Sequence, residues 1–184
     1  MNENNSLLGF ALLGLLHEQP MSGYDLRKVF ASTAMGSFSD SPGAIYPALG
    51  RLEKRGLVKG TVEESTSLRK RRVFKVTAKG AAALKAWLKR PVTQDDVMRR
   101  IGELMLRFAF MDEALGAERT TEFLREYAER LSEYLPILKE FHKAQASTMP
   151  MSARLAFESG IEEYEVRLKW ARSSLAVYER GKRG

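Results

Sequence analysis

The sequence predicts a mainly α-helical fold with a small β hairpin: an N-terminal winged helix-turn-helix and a C-terminal helical dimerisation domain. Three observations predict it. The first half reads helix, helix, helix, hairpin in order. The second half carries long apolar repeats at spacings of 3 and 4, the mark of helices packed along a seam. The charge is split, with a net +8 over residues 1–92 and a net −1 over residues 93–184. The basic excess therefore belongs entirely to the first half, which points to a polyanionic partner for that half alone.

Ser6 to His17 is apolar nearly all round, as a central core helix is, and Gln19-Pro20 ends it. Ser22 with Asp25 makes a capping box for a second helix through Leu26, Val29 and Phe30. Residues 31–40 are small and polar, which predicts a loop. Ser41 as cap and Pro42 at the first helical position open a third helix, which runs to Arg55 and stops at Gly56. Ile45, Leu49 and Leu52 give that helix an apolar back, while Tyr46, Pro47, Arg51, Lys54 and Arg55 make its front. Leu57–Glu63 and Arg71–Thr77 favour strands, joined across the polar 64–70. Thr77 caps a fourth helix through Ala82, Leu84, Trp87 and Leu88, ended by Pro91. The domain boundary falls there, giving domains 1–91 and 92–184.

Thr93 and Asp96 form another capping box. Val97, Ile101, Leu104, Phe108 and Met111 follow on one face, with a break expected at Asp112–Gly116. Leu124, Tyr127, Leu131, Tyr134, Leu138 and Phe141 mark a second helix, which Pro136 should kink. Phe157, Ile161, Tyr164, Leu168, Ala171, Leu175 and Tyr178 mark a third. Three helices with such seams suit antiparallel packing or a dimer interface. Ile101, Leu104, Phe108, Phe157, Ile161, Tyr164, Leu168 and Leu175 are the candidate dimer contacts.

A short helix with a packed back and a cationic, aromatic front suits a DNA major groove. Tyr46, Arg51 and Lys54 are its candidate contacts, against the bland reading of a solvated helix face. Arg69, Lys70, Arg71 and Arg72 lie where a wing would grip phosphates, with a solvated charge run as the alternative.

The block Ser41-Pro42-Gly43-Ala44-Ile45-Tyr46-Pro47-Ala48-Leu49, then Arg51-Leu52-Glu53-Lys54 and Gly56-Leu57-Val58, resembles the PadR family of bacterial transcriptional regulators. Ser22-Gly23-Tyr24-Asp25-Leu26 and Phe74-Lys75-Val76-Thr77-Ala78-Lys79-Gly80 are similar to its flanking blocks. The resemblance spans roughly half the chain. It implies a transcriptional regulator, most often a homodimeric repressor on an inverted-repeat operator, in the subgroup with the longer C-terminal domain. On the matching positions it adds Ser22, Tyr24, Ser41, Pro42, Gly43 and Ala44 to the DNA-facing set, which also takes in Lys28 on the same helix as Tyr24 and Pro47 on the front of the third helix. Relatives of this kind stack flat effectors on aromatic residues near the dimer interface, which makes Trp87 and Trp170 candidate effector contacts. Ordinary core packing is the competing reading for both.

No cysteine is present, which excludes disulfides, thiolate metal sites and cysteine nucleophiles. The two histidines, His17 and His142, sit in no catalytic or metal-binding motif, and no nucleophile elbow, Walker loop or dinucleotide fingerprint occurs. No enzyme activity, cofactor or metal is expected. Leu7–Leu16 is too short to span a bilayer and lacks a basic flank. The expected partners are double-stranded DNA, a second copy of the chain and a small-molecule effector, in a soluble cytoplasmic protein without a membrane. The rival class is a winged-helix adaptor for proteins, which has little need of the +8 half.

Overall fold

A computed structural model describes residues 6–38, 42–63 and 71–181 of the chain. The chain divides into two compact units, Met1–Arg90 and Pro91–Gly184.

The first unit is built around α1 (Leu7–Glu18), whose residues Leu8, Ala11, Leu12, Leu13, Leu15 and Leu16 are all buried. Ser6 caps it through the Gly9 N–H at 3.2 Å. Next come β1 (Met21–Ser22) and α2 (Gly23–Ser32), and the capping box of Ser22 and Asp25 is present. Ser32 and Thr33 close α2 by bonding back to the carbonyls of Lys28 and Val29. The expected loop over 31–40 is therefore partly ordered, since α2 reaches Ser32 and a 3-10 turn covers Ala34–Phe38.

The third helix also differs from its expected start. A 3-10 turn spans Pro42–Ala44, and α3 proper runs Ile45–Lys54. Pro47 explains this register. With α3 starting at Ile45, the proline sits in the first turn, where an N–H has no intrahelical acceptor and its absence costs little. At the far end Gly56 adopts φ +70°. The Gly56 N–H bonds to the Glu53 carbonyl at 2.8 Å and the Leu57 N–H to that of Leu52 at 2.9 Å. These are the two bonds of a Schellman cap, which only a left-handed residue permits without strain.

Strands β2 (Val58–Glu63) and β3 (Arg71–Val76) pair antiparallel, with Gly60 opposite Phe74 and Val62 opposite Arg72. The hairpin gains a third, unpredicted strand, because β1 pairs with β3 and the sheet order is β1-β3-β2. Thr77 caps α4 (Ala78–Leu88) through the Gly80 N–H. Ile45, Leu49 and Leu52 on the back of α3 are each no more than 3% exposed.

Among the described residues, the second unit holds four helices rather than three. They are α5 (Gln94–Arg99), α6 (Ile101–Leu115), α7 (Ala117–Gln145) and α8 (Met151–Gly181). The expected single helix through Val97 and Met111 breaks at Arg100, whose φ of −128° and ψ of 35° are not helical. The expected break at Asp112–Gly116 shrinks to Gly116 alone, at φ +82°. α7 continues through Pro136. The missing proline N–H withholds one intrahelical bond from the Ser132 carbonyl. α7 and α8 form an antiparallel hairpin, with Tyr127 near Trp170, Tyr134 near Tyr164 and Phe141 near Phe157, at ring separations of 5.2–6.3 Å. Among the described residues, no helix is long and apolar enough to cross a membrane.

Candidate nucleic-acid interface

The back of α3 is committed to the core, so its orientation is fixed by burial. Its front is exposed: Tyr46 retains 51% of its surface, and Pro47, Arg51 and Lys54 also face outward. α2 lies beside it and contributes Tyr24, 62% exposed, with the Lys28 ammonium 5.7 Å from the Tyr24 ring centre. A groove of about 240 Å³ beside α2 has Tyr24, Phe30 and Ile45 in its wall and Arg27 and Lys28 at its edge. Arg27, Lys28, Arg51 and Lys54 have no carboxylate partner among the described residues. Four cations around one helix, with no carboxylate partner among the described residues, give a surface whose charge suits a polyanion.

Tyr46 is held as well as exposed. A Cβ on Gly23 would fall 2.5 Å from Tyr46 Cε1, so the ring rests on the start of α2 in the space a side chain would fill. Ser22 is buried and serves the fold. Its hydroxyl donates to Asp25 Oδ2 at 2.8 Å and accepts from the Asp25 N–H at 3.2 Å. Gly43 is exposed and Ala44 half-buried in the turn before α3. Pro42 opens that turn, while Ser41, Arg69 and Lys70 lie outside the described residues.

Arg71 and Arg72 are also exposed, yet both already hold carboxylates. Arg71 pairs with Asp25, and Arg72 pairs with Glu53 through two contacts of 2.7 and 2.8 Å. Three features of this surface escaped sequence reasoning: Arg27 as a cation with no carboxylate partner among the described residues, Glu53 as the acceptor for Arg72, and Gly60 beneath that pair. Arg27 could have been read from its place beside Lys28. The other two depend on strand register.

In the second unit, Leu104 is fully buried in the unit's own core. Ile101 and Phe108 are half-buried, as are Phe157, Ile161, Tyr164, Leu168 and Leu175. Those five residues of α8 share the helical face whose rings meet α7. On the opposite face of α8 lie Leu155, Val166 and Val177, at 53%, 67% and 58% exposure. Trp170 is 37% exposed, with its ring edge-on to Phe108 at 5.2 Å. Trp87, in the first unit, is buried and stacked on Phe10 at 4.4 Å.

Residues 12–86 match the Transcriptional regulator PadR-like family. This span contains α2, α3, the hairpin and most of α4. The first unit therefore carries a PadR-like domain. The whole chain is 26% identical over 182 residues to the negative transcriptional regulator PadR of Bacillus subtilis, covering 95% of this chain and 98% of that relative. A solved structure of Bacillus subtilis PadR in complex with operator DNA is 24% identical, covers 93% of this chain and 98% of the other, and gives a TM-score of 0.43. A second, in complex with p-coumaric acid, is 25% identical over 94% and 96% of the two chains, with a TM-score of 0.40. Among the described residues, no group of three His, Asp or Glu side chains is placed to hold a metal ion.

Proposed function

We propose that the chain is a homodimeric repressor that binds an inverted-repeat operator through α3 and leaves it when a small planar effector binds. The observation that carries this reading is the set of uncompensated cations, Arg27, Lys28, Arg51 and Lys54, around the exposed front of α3. Tyr46 and Pro47 enter the major groove and meet base edges and sugar. Tyr24, Gly43 and Ala44 border the same groove, and the cations fix register on phosphates. Arg71 and Arg72 reach phosphate only by giving up their carboxylates.

Residues 92–184 supply the dimer. Most of the predicted seam is occupied within the chain, so the second copy meets the opposite face of α8, where Leu155, Val166 and Val177 stand exposed. Two-fold symmetry then sets the two α3 helices one DNA turn of about 34 Å apart, or a multiple of it. The repressor role follows the relative named a negative regulator, and work on chromosomal DNA places the chain in the cytoplasm. Trp170, partly exposed beside Phe108, is the effector contact; Trp87 enters only if its stack on Phe10 opens. Catalysis has no part in this reading.

The experiment is selection of bound sequences from random duplex DNA by the full chain. An inverted repeat is expected. Enrichment of a single unrepeated site would remove the dimeric operator, and no enrichment would remove sequence-specific binding. p-Coumaric acid is the first compound to screen by tryptophan fluorescence. A quench that operator DNA abolishes supports the switch.

A further inference from the structure

Arg72 and Glu53 are separated by 19 residues in sequence, yet the Arg72 Nη2 group donates to both carboxylate oxygens of Glu53, at 2.8 Å to Oε1 and 2.7 Å to Oε2. Glu53 Oε1 also accepts the Gly60 N–H at 2.9 Å. The Arg72 guanidinium lies 5.2 Å from the centre of the Phe74 ring. One carboxylate thus ties together α3, β2 and β3. Gly60 has to lack a side chain for this: a Cβ there would fall 2.7 Å from Arg72 Nε and 2.9 Å from Glu53 Oε1. Successive residues of a strand point to opposite faces. That alternation sends Arg72 to α3 and its neighbour Arg71 to Asp25 of α2.

We propose that Glu53 is a positioning residue for DNA binding: through Arg72 it locks the stem of the hairpin onto α3, so that the two reading elements present a single rigid surface. The proposal rests on the DNA-binding reading above. An exposed ion pair is ordinarily worth little. Here one guanidinium nitrogen spans both carboxylate oxygens, the Gly60 N–H adds a backbone donor, and the planar guanidinium lies over the Phe74 ring, a stacking that a lysine ammonium does not reproduce. The alternative for Arg72 is a plain phosphate contact that rests on Glu53 until DNA arrives.

The two roles predict opposite signs. Glu53→Gln removes a negative charge from the DNA-facing unit, and simple electrostatics would tighten binding to every duplex. A positioning role instead predicts weaker binding to the selected operator, by roughly three- to tenfold, with unchanged or tighter binding to random DNA. Arg72→Lys keeps the charge and loses the planar guanidinium stacked over Phe74, and should weaken operator binding by a similar factor at an unchanged salt slope. The exchange of both residues, Glu53→Arg with Arg72→Glu, should restore part of the selectivity. Circular dichroism is expected to match wild type for all three, and Arg72→Lys keeps the test open if Glu53→Gln fails to fold. Tighter operator binding by Glu53→Gln, or wild-type selectivity in Arg72→Lys, overturns the proposal. If the wild-type chain itself prefers no duplex, the DNA reading has failed, which is a different result.

Discussion

The two units handle charge in opposite ways. In Pro91–Gly184, cations and carboxylates neutralise each other along and between helices. Arg119 holds Glu122 and Glu126, Arg130 holds Glu133, Arg167 holds Glu163, and α7 is joined to α8 by Arg125–Glu179 and Lys139–Glu165. The unit also exposes apolar residues: Leu155, Val166 and Val177 on α8, with Ile137 on α7. In Met1–Arg90 the apolar residues are mostly spent on the core, and what is left over is positive. A surface left incomplete by its own chain is the part built for a partner. Leftover charge suits a polyanion, and leftover apolar surface suits a second copy.

That contrast can be broken at its apolar end first, where the largest effect is expected. Val166→Asp places a charge on the exposed face of α8 without touching the α7–α8 contact. The chain should stay folded by circular dichroism and become monomeric in sedimentation. Loss of bivalence should weaken operator binding on the order of 10²–10⁴-fold. A folded variant that remains dimeric would move the interface elsewhere.

The charged end gives the next effect. Arg51→Ala with Lys54→Ala removes four cations from a dimer, so the slope of log affinity against log salt should flatten by about 3.6. Selected and random DNA should suffer alike. Arg125→Ala, taken from the neutralised unit, should leave the slope unchanged. A smaller effect, about tenfold in preference for the selected site, is expected of Gly23→Ala, because its methyl group displaces the Tyr46 ring. Equal losses on random DNA would make Tyr46 a general contact.

The smallest effect concerns acid. Asp96 is buried, which raises its pKa, but the bonds from Thr93 and the nearby Arg100 and Arg107 outweigh burial and leave it below the ordinary 3.8. The folded chain therefore binds this proton less readily than the unfolded chain does. The stabilisation is full above the ordinary pKa and fades as pH falls through the folded value. Thermal melts should show an acid loss below about pH 4 that is smaller in Asp96→Asn. An identical acid profile in the variant would remove Asp96 from the account.

What the sequence made legible was what lies within a few residues. The capping boxes at Ser22–Asp25 and Thr93–Asp96, the Thr77 cap and the Gly56 stop each link neighbours, and each stands where local chemistry puts it. The facing of α3 was legible because Ile45, Leu49 and Leu52 share one side. The two-residue β1 was not, since it exists only by pairing with β3. Nor was the break at Arg100, because apolar spacing carries on across it. Among the candidate site residues, exposure of Tyr46, Arg51 and Lys54 followed from periodicity. The engagement of Arg71 and Arg72 did not, because their carboxylates lie 46 and 19 residues away. The α8 seam was found as a pattern, but a pattern does not say whether α7 or a second copy fills it.

The central claim is that the uncompensated cations of the first unit bind duplex DNA. A salt titration of operator affinity with the full chain tests it most directly. If a dimer neutralises on the order of eight phosphates, the account predicts a slope of about −7. A slope near zero, with affinity indifferent to salt, would contradict it.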